Sequence, residues 1–177
     1  GDHHPSLLRA DYAATRLTIR PENPGLFRYA DWLPVKRIHA HAGRTVTFQN
    51  EALAERLGLD NLFIAFNGYW PEKEATFETG SFKELEALTV TARIPEGENR
   101  CLVMASAGNS GMAFLQICSE YAVPVVVVVP AKSLKSMWIT RAKHPDAILV
   151  ALKGKVDYFD AIELANAIGD QDGFYNE

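Results

Sequence analysis

Cysteine is scarce in this chain: among 177 residues there are two, Cys101 and Cys118, and they form no Cys-x-x-Cys pair. That excludes a disulfide framework and a four-thiolate zinc centre, and it points to a reducing, cytoplasmic setting. Long apolar runs are missing as well. Val125 to Val129 is bracketed by Pro124 and Pro130 and falls far short of the ~20 residues needed to cross a bilayer. Nor is there an excess of positive charge: 18 Lys and Arg against 22 Asp and Glu leave a net charge of −4. A nucleic-acid or anionic-membrane surface needs the opposite balance, so the expected partner is a small molecule or a protein, with no nucleic acid and no membrane. A metal centre also lacks its ingredients. His39 and His41 alternate and could face one side of a strand, and His3 and His4 are adjacent, but no carboxylate or cysteine stands at ligand spacing beside them.

What is present suits a folded domain. Hydrophobic residues make up 47% and charged residues 23%, close to the globular average of roughly 45–50% and ~25%, which rules out global disorder. The first fifty residues, punctuated by Pro21, Pro24 and Gly25, show no sustained period and read as an extended, wrapping segment. Asn50 is placed to cap a short helix over Glu51 to Leu57, closed by Gly58. Asn61 to Phe66 reads as a strand and Tyr69 to Gly80 as a loop.

From Cys101 onward the pattern becomes regular. Cys101 to Ser106, Val125 to Val129 and Ala147 to Leu152 read as strands apolar on both faces, as in a parallel sheet covered by helices. Between and after them, Met112 to Tyr121, Leu134 to Lys143 and Tyr158 to Ile168 read as helices. The expected fold class is therefore α/β, a parallel sheet with flanking helices, whose ligands approach the carboxyl ends of the strands.

Two segments can carry chemistry. In Thr79-Gly-Ser-Phe-Lys-Glu84, Ser81 and Glu84 have capping-box spacing, which puts Lys83 second in a helix running toward Ala92. An amine at the positive end of a helix dipole is favoured in its neutral, nucleophilic form, the form that attacks a carbonyl. Taken alone, such a lysine is more commonly a solvated side chain. In Ala105-Ser-Ala-Gly-Asn-Ser-Gly111, backbone amides at a helix start make an anion site, and Gly108 and Gly111 let a ligand approach the main chain. The same stretch is also an ordinary tight turn in which Asn109 bonds its own backbone. Its Gly-x-x-Gly spacing occurs in RNA-binding KH domains, but the acidic balance and the absence of Lys or Arg in the loop argue against that. Cys118, on the apolar face of its helix, reads as core, and Lys132, Lys135, Arg141 and Lys143 as a solvated face.

Together, Gly80-Ser-Phe-Lys83 at a helix start and Ala105-Ser-Ala-Gly-Asn-Ser-Gly111 after a strand resemble the fold-type-II pyridoxal-phosphate enzymes, the tryptophan synthase β-like group. The pair is far more specific than either half. Gly25-Leu-Phe-Arg-Tyr29 with Leu33-Pro34, the helix into Leu57-Gly58 and Asn61-Leu-Phe-Ile64 extend the resemblance to the threonine synthase family. Departures narrow it: Phe77-Glu-Thr-Gly-Ser-Phe-Lys-Glu-Leu-Glu-Ala87 and Ala65-Phe-Asn-Gly-Tyr-Trp-Pro-Glu-Lys73 look most like the archaeal cysteate synthases within that family.

The resemblance implies pyridoxal 5'-phosphate held as a Schiff base on Lys83, its ring oxygen bonded by Asn109, and the substrate carboxylate taken by the loop of Ser106, Ala107, Gly108 and Ser110. It implies the reaction of O-phospho-L-serine with sulfite to give L-cysteate and phosphate, on the way to coenzyme M, in a homo-oligomer when the chain is full length. Residues 1–100 would belong partly to the larger domain and carry the lysine, 101–170 would form the smaller domain, and 171–177 would start the return to the larger one. The chain would then be about half of such an enzyme. Threonine formation from O-phosphohomoserine is the alternative within the family; a non-catalytic anion- or protein-binding α/β domain is the alternative outside it.

Overall fold

A computed structural model describes residues 10–140 and 143–177. His3, His4 and Arg141, singled out above, lie outside the described residues. The centre is a four-stranded parallel sheet in the order β7-β6-β5-β8. Its members are β5 (Cys101–Ala105), β6 (Val125–Pro130), β7 (Ala147–Leu152) and β8 (Phe174–Asn176). The three strands expected from their apolar faces are parallel neighbours, with Leu102 beside Val125 and Val126 beside Ile148. β8 joins the free edge of β5, pairing Cys101 with Phe174.

The alternation along β6 shows why a five-valine run suits this place. Val125, Val127 and Val129 face one core with Phe27, Leu88, Leu102, Phe114 and Leu115. Val126 and Val128 face the other with Val103, Ala161 and Ala165. Helices α2 (Lys83–Arg93) and α3 (Asn109–Glu120) cover the first face, and α4 (Tyr158–Gly169) covers the second. Chain order fixes where the sheet turns back on itself. From β5 the chain winds outward through β6 to β7, then crosses over through α4 to β8 on the opposite side of β5. The carboxyl ends of β5 and β8 are therefore the switch point, where such sheets hold ligands.

Ahead of the sheet, the early residues do wrap the core: Phe27, in a 3₁₀ segment over Gly25–Trp32, is fully buried. Short strands lie here; the one over Phe63–Phe66 falls within the strand expected at Asn61 to Phe66, and the others were missed in the sequence. β1 (Val46–Gln49) pairs antiparallel with β2 (Phe63–Phe66), and β3 (Tyr69–Trp70) pairs with β4 (Ala75–Thr76) inside the expected loop. Helix α1 (Glu51–Leu57) forms as expected: the Asn50 side chain accepts from the Leu53 amide, and Gly58 closes it at φ +66°.

The helix expected over Leu134 to Lys143 is not observed among the described residues. A 3₁₀ segment ends at Ser136, and Met137 is extended. Met137 and Ile139 both pack on the main core, and alternate residues can do that in extended backbone but not in a helix.

Candidate functional site

The segment leading into α2 differs from a simple capping box. Gly80 takes φ +66°, Phe82 is the N-cap, and Lys83 is the first helical residue rather than the second. Ser81 Oγ accepts from the Lys83 amide at 3.2 Å. The Glu84 carboxylate reaches further back, accepting from the amides of Thr79 (2.8 Å) and Glu78 (3.2 Å) and from the Thr79 hydroxyl (2.9 Å). Burial pushes the Glu84 carboxyl up, and these donors oppose the rise. A buried acid thus ties residues 78–79 to the helix start and fixes where Lys83 emerges.

The β5–α3 loop forms the facing wall. Ser106 is buried, and its Oγ accepts from the Gly111 amide at 2.8 Å. Ala107, Gly108 and Ser110 are half-buried and Asn109 is exposed. No side chain caps α3 at Gly108, and an added Cβ there would meet nothing within 4 Å. The helix start is therefore open to a negatively charged group. Gly111 is the opposite case, since its Cβ would stand 2.5 Å from the Ser106 carbonyl oxygen.

Glu86 joins the two walls. Lys83 Nζ lies 2.7 Å from Glu86 Oε2, and Ser110 Oγ donates to the same oxygen at 3.3 Å. Lys83 and Glu86 side chains remain 34% and 33% exposed, so the amine is reachable from solvent. Glu177, just past β8, gives its amide to the Val103 carbonyl of β5. Its carboxyl is pushed up by desolvation first and then by the Glu86 charge, while Arg93 and Lys83 pull it down. Lys83, Glu86 and Ser110 thus meet beside the carboxyl end of β5. A cavity of about 600 Å³, lined by Tyr69, Glu78, Trp138 and Thr140, opens beside the turn at Gly80.

Sequence motifs single out Lys83 and the loop; Glu86, which at i+3 on a helix looks like one half of a surface pair, carries no such mark. The histidine pair does not form a site. His39 is buried against Thr91 and Tyr121, while His41 is exposed and gives its amide to the Tyr121 hydroxyl. Cys118 is fully buried, as its place on the apolar helix face requires.

A solvent-reachable amine at the mouth of a parallel sheet, facing an uncapped helix start with an exposed amide side chain, fits an aldehyde cofactor with an anionic substrate. Residues 38–176 match the family described as Pyridoxal-phosphate dependent enzyme. The chain belongs to that family. Within it, the chain is 47% identical to cysteate synthase of Methanocorpusculum labreanum over 99% of its own length and 42% of that protein's. It is 46% identical to cysteate synthase of Methanosphaerula palustris, over 93% of this chain and 38% of the other. The chain thus spans about two fifths of the length of these relatives. The fold is also that of apo diaminopropionate ammonia lyase from Escherichia coli, with TM-score 0.55 over 81% of this chain and 41% of the lyase at 16% identity. The family places pyridoxal phosphate among this protein's cofactors, and no described helix is long and apolar enough to cross a membrane.

Proposed function

We propose that the whole protein is a cysteate synthase, converting O-phospho-L-serine and sulfite to L-cysteate and phosphate. The observation that carries this reading is 40–47% identity to proteins of that name over nearly all of this chain. In this reading residues 1–100 contribute to a larger domain and residues 101–170 form a smaller one. Pyridoxal phosphate, when bound, supplies an aldehyde for the lysine and an electron sink for charge developing at the substrate α-carbon.

The chain's own residues do the rest. Lys83 Nζ holds the cofactor, and once the substrate amine displaces it, takes the proton from the α-carbon and later returns it. Asn109 bonds the ring oxygen. The loop of Ser106, Ala107, Gly108 and Ser110 holds the substrate carboxylate at the start of α3, where the dipole favours a negative charge and the main chain is open at Gly108. Loss of phosphate from the β-carbon and addition of sulfite there then give cysteate.

The test is made on the whole protein. O-phospho-L-serine with sulfite should release phosphate and yield cysteate, and Lys83→Ala should abolish both turnover and the visible band formed with pyridoxal phosphate. Threonine from O-phosphohomoserine, with no cysteate from phosphoserine and sulfite, would replace the substrate assignment. A band that persists in Lys83→Ala would remove Lys83 from its role.

A further inference from the structure

We propose that Glu86 is the acid–base group for carbonyl capture by Lys83: it takes a proton from the lysine ammonium and returns it to the departing oxygen. The inference rests on the reading of Lys83 as the amine that joins an aldehyde. Its own support is the contact of Glu86 Oε2 with the reacting nitrogen at 2.7 Å. The Ser110 hydroxyl, 3.3 Å from that oxygen, holds the carboxylate against the loop where an aldehyde ligand would sit. A lysine that needed only a charged partner on the surface would gain nothing from a carboxylate anchored on a second helix.

The proton balance of the step calls for such a group. An ammonium has three protons and no lone pair, so it cannot add to a carbonyl carbon. In passing to a protonated imine the nitrogen gains a bond to that carbon and loses two protons, and the aldehyde oxygen leaves with both as water. Glu86 is placed to take the first proton from Nζ, which frees the lone pair. It can then protonate the hydroxyl as the carbon–oxygen bond breaks, and is left as the carboxylate with which it began. The second proton passes from nitrogen to the alkoxide oxygen created by the addition. Ala87, the next residue on α2, is fully buried in the core, which holds this turn of the helix in place. Charges of Glu177 and Arg93 also act on this region. Neither forms an ion pair with Lys83 among the described residues.

The test reads capture itself and does not need turnover. The whole protein, stripped of cofactor, is mixed with pyridoxal phosphate; the visible band is timed, and the adduct is fixed with borohydride and located by mass spectrometry. Glu86→Gln keeps the size of the side chain and an oxygen for Ser110 but cannot accept a proton from Lys83. Its rate of adduct formation at Lys83 should fall at least tenfold, since positioned acid–base groups contribute about 10²–10⁴-fold. Glu86→Ala should be equally slow and should recover as formate is added, in proportion to its concentration, which guards against a variant slow only because it misfolds. Glu177→Gln, which changes the local charge without removing a contact to Nζ, should stay within about twofold. A Glu86→Gln rate equal to or above the unaltered protein's would show a carboxylate that merely parks the ammonium, and would overturn the proposal. So would a Glu86→Ala protein insensitive to formate. Absence of any adduct at Lys83 in the unaltered protein would instead overturn the reading of Lys83, and this inference with it.

Discussion

At the scale of single residues, the clearest consequence of burial is at His39. Thr91 Oγ1 donates to the Ala87 carbonyl at 2.7 Å, so it must accept from His39 Nε2, 2.9 Å away, and the imidazole carries its proton on Nε2. A second proton would have to enter at Nδ1, with the ring stacked 3.7 Å from Tyr121 and set edge-on to Phe27. Burial, with Arg37 adding repulsion, lowers the His39 pKa to about 4. The fold therefore favours the neutral ring. This stabilisation is complete above the ordinary value near 6.5 and is lost as pH falls from there toward 4, because the unfolded chain binds the proton first. The full loss is about 3 kcal/mol. We expect the urea midpoint to drop between pH 7 and pH 4.5, and the drop to shrink in His39→Gln. Comparing the two proteins cancels Glu84 and Glu177, whose raised carboxyls act in the opposite direction. Equal slopes would show that His39 does not titrate in this window.

At the scale of elements, what could be read in the sequence followed the length and regularity of each segment. β5, β6 and β7, with α3 and α4, are legible because each is a run of apolar residues at one period, closed by proline, glycine or a polar turn. β2 shows in the sequence as the aromatic and β-branched run ending at Phe66, but β1 is four residues long and its partner lies across an intervening helix, so no local pattern announces it or the pairing of Val46 with Phe66. Met137 and Ile139 looked like part of a helix because tertiary packing, invisible in the chain, holds them extended. The site divides the same way. Lys83 and the β5–α3 loop stand out as motifs, whereas Glu86 acquires its meaning when α2 meets α3 and Ser110 reaches it. The loop's two glycines can be separated by experiment. Alanine at Gly111 would press on the Ser106 carbonyl at 2.5 Å and on Val127 and Met137 at 3.2 and 3.3 Å. We expect Gly111→Ala to cost about 1–3 kcal/mol by chemical denaturation. Gly108→Ala, which meets open space at φ −149°, should change stability by less than about 0.5 kcal/mol. A Gly108 variant as unstable as the Gly111 variant would show that the helix start is closed.

At the scale of the whole molecule, the two faces of the sheet share its strands, so neither core can be lost without exposing the other. Cys118 reports on this. It lies on α3 with no exposed surface, among the residues of the larger core, and burial pushes its thiol far above the usual range, with Cys101 adding to the rise. Thiolate is the reactive form, so a native chain offers a disulfide reagent neither access nor nucleophile at this position. Cys101 is half-buried, and its thiol is pushed up by desolvation and by Asp146. Labelling should therefore occur in two phases, and peptide mapping should assign the slow one to Cys118. If α3 is released only when the sheet is, the slow phase should accelerate with urea along the same curve as the loss of helical circular dichroism. Reaction of Cys118 at urea concentrations where that signal is still native would show α3 opening on its own. The helix that presents Asn109 and Ser110 would then be a separable unit, and the site at its start could form and dissolve independently of the sheet behind it.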